Sequence, residues 1–462
     1  TQTESKNGFD AQNHVNQYSY HEGYYDGLER EFRGFAAAES KALGDDTQGT
    51  PSLITAQRFD TGATAKALKG KLLVEETRND AGEIFWRDEY TWETRVLIPG
   101  QTGDRRSVIF PAKIARIRTV IEKGNGLPVQ LQWNFDYDGY GNTTQIVEHG
   151  RLDGAMWNDE RVTRSVYSAA YGSGRSAWIL NRLVEQKMLD SAGRVFAKRQ
   201  LFYDDETFAG ANLGEVGKGD LTMVREWYDP ASPTAFVSSA RNRYDAWGNV
   251  TSKFGPLWGM TPGHATSIVY DEAFQTFPVR ESINTGNSTL IAEAGYDAGF
   301  GVITQATDFN GNSTAYGYDA HGRLVAIVKP GDDGFNPTTS YGYVLGHRLP
   351  DGRVVNWIET RQREQSGAFG TVDSRSYLDG FQRKIMTRAE GETPGQIVVS
   401  GSVTYNARRS PHKEYLPYFD TGTLAYQDAA IGDTGFVQNQ YDALGRIVRV
   451  VQPRTTVSMP PA

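Results

Sequence analysis

A chain of 462 residues has room for two or three ordinary domains or one extended repeat array, and its 50 glycines, 24 tyrosines and 21 phenylalanines favour short strands joined by tight turns. A net charge of −8, with Lys and Arg scattered among acids, argues against a nucleic-acid partner, and no apolar run approaches the roughly 20 residues that span a bilayer. Zero cysteine excludes disulfides, thiolate-bound zinc and thiol catalysis while leaving the compartment open.

In chain order, the opening Thr1-Gln2-Thr3-Glu4 has neither an initiator Met nor a signal pattern, which reads as an internal stretch of a soluble protein. Ala36 to Leu43 is a short helical candidate, and Leu424 to Ala430 is a second. Asn79-Asp80-Ala81-Gly82-Glu83-Ile84 reads as a tight turn. Tyr137-Asp138-Gly139-Tyr140-Gly141-Asn142 then gives the first full copy of a word, Tyr-Asp-x-x-Gly-(Asn/Arg), and Asp190-Ser191-Ala192-Gly193-Arg194-Val195 repeats it without the tyrosine. Further full copies start at Tyr244-Asp245, Tyr318-Asp319 and Tyr441-Asp442, and looser ones at Tyr270-Asp271 and Tyr296-Asp297. Tyr377-Leu378-Asp379-Gly380 and Tyr405-Asn406-Ala407-Arg408 look degenerate. Steps of 26, 26 and 22 residues separate Tyr244, Tyr270, Tyr296 and Tyr318, which suits one or two hairpins per unit.

The word has a physical reading as a hairpin turn. Its Asp accepts backbone N–H groups two residues on, and its Gly takes the left-handed conformation that costs other residues about 1 kcal/mol or more. The flanks Arg323 to Lys329 and Arg446 to Gln452 alternate as strands and stop at Pro330 and Pro453. The Tyr before each turn presents a ring to one sheet face and a hydroxyl free to stay wet. An array of such hairpins must continue strand to strand or close round a cavity, because open edges invite aggregation.

Catalytic and ligand words are missing. Neither Gly286-Asn287-Ser288 nor Gly311-Asn312-Ser313 completes a nucleophile elbow, and Gly217-Lys218 lacks a phosphate loop around it. The seven histidines form no metal pair; His321 occupies a tolerant turn position and His21 sits in the word that begins at Tyr20. Asp308-Phe309-Asn310-Gly311-Asn312-Ser313 alternates oxygen side chains like a calcium loop, but Ser313 stands where glycine belongs, so a hairpin turn is the expectation. The aromatic excess fits packing between neighbouring hairpins better than sugar stacking.

The repeated word resembles the signature of the YD-repeat, or Rhs-repeat, family of large surface and secreted proteins. Tyr20-His21-Glu22-Gly23-Tyr24-Tyr25-Asp26-Gly27, running into Glu29 to Phe35, is similar to the segment opening the middle region of the B component of insecticidal Tc toxin complexes, and Phe135 to Asn142 is similar to the same region further on. The resemblance implies an all-β fold, a spiral of antiparallel hairpins forming part of a hollow shell, with residues 1–235 as the B-component-like stretch and 236–462 as the repeat array continuing it. It implies a secreted bacterial structural protein, not an enzyme, that encapsulates a C-terminal toxic polypeptide. Its partners are then a C-component-like Rhs protein with its cargo and a channel-forming A component, the latter reached through a propeller absent from this chain. The family's self-cleaving protease word, Asp-Pro-x-Gly, is not matched by Asp229-Pro230-Ala231-Ser232, so no catalytic residue is carried over and no cofactor or metal is expected. A cell-surface adhesion or glycan-binding module is the alternative.

Overall fold

The computed structural model describes residues 1–10, 13–98, 107–121, 127–152, 159–259, 264–429 and 435–453. They form an almost entirely antiparallel structure: one sheet of 27 strands and a second of four. From Gln2–Lys6 to Gln396–Ser400 every strand pairs with the strands immediately before and after it in sequence. The order departs from simple succession only near the end. Gln396–Ser400 pairs with Tyr418–Thr421, while Val403–Tyr405, Pro411–Tyr415, Phe436–Tyr441 and Ile447–Val451 build the second sheet.

A strip of this kind has little interior. Only 19 apolar residues among those described are buried, so most of the wall is one sheet thick and is held by its ladders and cross-strand pairs. Two clusters are exceptions. One gathers Val355, Tyr377, Ile385, Met386, Ile397 and Val399, and the other Phe202, Phe208 and Met223 under the excursion that follows Tyr203.

Both helical expectations fail. Ala36 to Ala42 lies in the strand Glu31–Ala42, which pairs with Asn13–Asp26 on one side and Leu53–Asp60 on the other. Two complete ladders outweigh the local preference of three alanines for helix, worth only a few tenths of a kcal/mol each. Leu424 to Ala429 is irregular, its backbone claimed by Tyr377, whose hydroxyl donates to the Leu424 carbonyl at 2.5 Å; Ala430 lies outside the described residues. The α-helix found is the single turn Gly172–Ser176.

Candidate functional site

The repeated turn is the unit from which the wall is made. In Tyr137-Asp138-Gly139-Tyr140-Gly141-Asn142, Asp138 Oδ1 accepts the N–H groups of Tyr140 and Asn142, both at 2.9 Å, and Gly141 sits at φ 88°. Asn142 also donates its Nδ2 to Asp138 Oδ2 at 2.9 Å. This explains why the word ends in Asn or Arg. Asn249 repeats the return contact on Asp245, and Arg323 and Arg446 make it as ion pairs to Asp319 and Asp442 at 2.7 Å. The Arg323 guanidinium, helped by the Arg323 and His321 N–H groups, holds the Asp319 carboxyl down at about 2.

The calcium-like string is one more such turn. Asp308 Oδ1 accepts Asn310 and Asn312 N–H at 2.8 and 2.9 Å, and Oδ2 accepts Asn312 Nδ2 at 3.1 Å. The words that look degenerate are intact turns as well. Asp379 accepts Phe381 and Arg383 N–H, with Gln382 at φ 60° in the glycine place, and Asn406 accepts Arg408 and Ser410 N–H, with Arg409 at φ 68°.

The tyrosine hydroxyls are not left wet. Tyr244 donates to the Leu221 carbonyl at 2.8 Å, Tyr318 to Ile303 at 2.8 Å, Tyr343 to Leu324 at 2.9 Å and Tyr405 to Lys384 at 2.8 Å. In each case the acceptor is the first or second residue of the strand that leaves the preceding turn. A register shift beside the tyrosine accompanies the contact, as between Arg243 and Tyr244 or Gly317 and Tyr318. Each tyrosine thus bolts its own hairpin to the one before it.

The start of the strip also meets its later turns. The Asn7 carbonyl accepts Gly380 N–H at 2.9 Å, Asn7 Nδ2 donates to Asp379 Oδ2 at 3.3 Å, and the Gly8 carbonyl accepts Val354 N–H at 2.7 Å. A Cβ on Gly380 would stand 2.1 Å from the Asn7 carbonyl oxygen, so only glycine allows this approach. Phe9 sits edge-on to Tyr426 at 5.6 Å, and Arg353 lies over both rings while forking onto Asp428 at 2.7 and 2.8 Å. Burial, with Asp428 beside it, pushes the Tyr426 phenol up. Further along, the His14 ring meets the Ala407 carbonyl at 3.0 Å and Arg408 Nη1 donates to Pro51 at 3.3 Å. Sequence reading missed this seam, and only the isolated glycine after Asp379 hints at it.

A third feature is the buried Asp88, which accepts Arg116 Nη2 at 2.8 Å and Arg118 Nε and Nη2 at 2.8 and 2.7 Å. Burial alone would raise its carboxyl, but the two guanidinium groups outweigh that and hold it below the usual carboxylate value. His321 donates its backbone N–H to Asp319, and Asp229 closes a turn by accepting Ala231 N–H at 2.9 Å.

Turn, bolt and seam together define a hairpin-repeat wall. Residues 2–62 match the family model of the insecticide toxin TcdB middle/N-terminal region, and residues 296–333 match the RHS repeat. The two matches thus fall on the first hairpins of the strip and on the turns around Asp308 and Asp319. No curated protein matches it. Among solved structures it is similar to the crystal structure of TcdB2-TccC3, with a TM-score of 0.75 at 15% identity over 98% of this chain and 31% of that one. It is similar to TcdB2-TccC3-Cdc42, with a TM-score of 0.76 at 14% identity over 97% and 33%. The Photorhabdus luminescens Tc holotoxin pore with a mutated TccC3 gives 0.74 at 13% identity over 97% and 32%. At these identities the likeness is one of fold, and the chain spans about a third of the length of the structures it matches.

Proposed function

We propose that this chain is a stretch of the wall of a Tc-toxin-like Rhs cocoon that encloses a C-terminal toxic polypeptide before translocation. The observation that carries the reading is the sheet of 27 strands, paired neighbour to neighbour up to Gln396–Ser400, whose first residues lock onto its later turns. A one-layer wall that ties back to its own start suits containment, because repeat ladders stabilise it locally without a filled centre. Residues 1–235 and 236–462 are read as consecutive stretches of that wall. A C-component-like Rhs protein supplies the remaining wall and the cargo, and a channel-forming A component is engaged through a propeller outside this stretch. The assembly is secreted by a bacterium, and no turnover is assigned to the wall itself. Co-expression with a C-component-like partner tests the reading: the cargo should resist protease until the shell is denatured. Cargo digestion at the rate of the free polypeptide would sink it.

One observation favours a second reading, outward-facing glycan binding. A trough of about 580 Å³ has Ala292, Ala294 and Ala306 in its lining with Tyr296, Phe309 and Tyr316, a shape on which a pyranose ring can stack. Glycan-array binding lost on Tyr316→Ala would support it.

A further inference from the structure

Four strands, Val195–Tyr203, Leu221–Trp227, Phe236–Tyr244 and Val250–Phe254, share a row that runs Phe202, Met223, Arg241, Phe254 through directly opposed partners. Opposed residues lie on the same sheet face, and Arg225 and Arg243, two places along from Met223 and Arg241, share it. Three guanidinium groups therefore collect on one patch. Aromatic rings hold them flat: Arg225 lies 5.0 Å from the Phe202 centroid, Arg241 4.8 Å from Trp258, and Arg243 5.7 and 5.6 Å from Phe208 and Phe254. Phe208, Phe254 and Trp258 are themselves in mutual contact at 5.5–5.9 Å.

No carboxylate answers these cations. Arg225 and Arg241 donate to the Ala209 and Gly255 carbonyls at 2.9 and 3.3 Å, the buried Arg241 Nε has no hydrogen-bond partner, and among the described residues none of the three forms an ion pair. Burial and the nearby Arg225 both lower the Arg241 pKa, with no acid opposing them. Acids close by in the fold are already engaged. Glu185 is held by Lys187, Lys198 and Gln200, and the Asp204 carboxylate by the N–H groups of residues 217 to 220. Elsewhere Arg116, Arg323, Arg353 and Arg375 also lie over rings, and each of these has a carboxylate of its own.

We propose that this patch is a binding site for carboxylate side chains of an extended acidic peptide. A guanidinium stacked on a ring keeps its N–H edge free, and that planar fork matches a carboxylate in two parallel bonds. The rings displace water, which strengthens each contact. Arg225 stands on the diagonal from Arg241, roughly 7–8 Å away across the sheet, and Arg241 and Arg243 lie roughly 6.6 Å apart along one strand, a spread suited to successive same-face acids of one extended chain. A single small anion spans at most part of it. The site does not depend on containment, since an acidic segment can dock on either face of the wall.

Fluorescence anisotropy of the full chain with a labelled alternating Glu-Gly decapeptide tests the assignment. The Glu peptide binds, its Gln counterpart does not, and Arg225→Gln and Arg243→Gln each weaken binding by roughly tenfold or more. Circular dichroism of both variants matches the parent, and the exposed position of Arg243 keeps at least that substitution from disturbing the fold. Absence of binding, equal binding of the Gln peptide, or undiminished binding by both variants overturns the proposal. Displacement of the Glu peptide by inorganic phosphate at equal concentration also overturns it, by reassigning the patch to a free anion.

Discussion

Replacing Asp88 by Asn keeps the shape of the side chain and removes the charge that two arginines share. The carboxylate accepts three charge-assisted hydrogen bonds at 2.7–2.8 Å, and its side chain is 2% exposed while Arg116 and Arg118 are 26% and 36% exposed. Breaking a fully buried pair costs about 3–5 kcal/mol, and screening at the two half-open guanidinium groups reduces that to about 2–3 kcal/mol. Hydrogen exchange reads the loss locally, in the ladder between Ile84–Ile98 and Val108–Val120, where it corresponds to amides exchanging about 30 to 160 times faster. The native carboxyl is held below the ordinary aspartate range, so its contribution is complete above that range and fades as the pH falls through the lowered native value. The gap between Asp88→Asn and the parent should therefore close in acid. Equal protection at neutral pH would refute the claim that this triad clamps the wall.

Other substitutions probe the remaining devices. Tyr244→Phe removes the bolt to Leu221 and should cost about 1 kcal/mol, seen as faster exchange in Leu221–Trp227; unchanged exchange would mean that the hydroxyl is dispensable. Gln382→Gly relieves a left-handed non-glycine and should stabilise the Asp379 turn by up to about 1 kcal/mol in urea titrations, whereas a loss would show that its side chain matters more than its backbone. Gly380→Ala should release the seam, exposing the Val354 amide that donates to Gly8 while leaving the Tyr244 hairpin protected. The Arg323 guanidinium and the turn N–H groups lower Asp319 to about 2, and Asp245, Asp308 and Asp442 are lowered too by their turn partners. Their contribution is present above the ordinary aspartate range and is lost as the pH falls through each lowered folded value, so strand signal in circular dichroism should melt at lower temperature at pH 2 than at neutral pH, and identical melts would contradict the turn electrostatics.

What the sequence revealed, and what it hid, follows the range of each interaction. The Asp turn is legible because its donors lie within four residues, as from Asp138 to Asn142, and glycine at the left-handed place leaves a written mark. Where Gln382 and Arg409 take that place the mark disappears, although the hydrogen bonds persist. The fate of the tyrosine hydroxyl was hidden because its acceptor lies about 20 residues upstream and is fixed by sheet register, as from Tyr203 to Leu183. Ala36 to Ala42 misled because ladder partners on two other strands decide its conformation. The seam and the three unmatched arginines lie beyond any local pattern, since Asn7 and Asp379 are 372 positions apart and the arginines meet only across paired strands.

Pairing almost wholly between consecutive strands has a consequence for how the molecule is made. Each strand finds its template in the segment synthesised just before it, so the sheet can grow in step with the ribosome at low entropic cost per addition. The seam contacts from Asn7 to Asp379 and from His14 to Ala407 must wait until more than four-fifths of the chain has emerged. Translation thus lays the strip first and fastens it last.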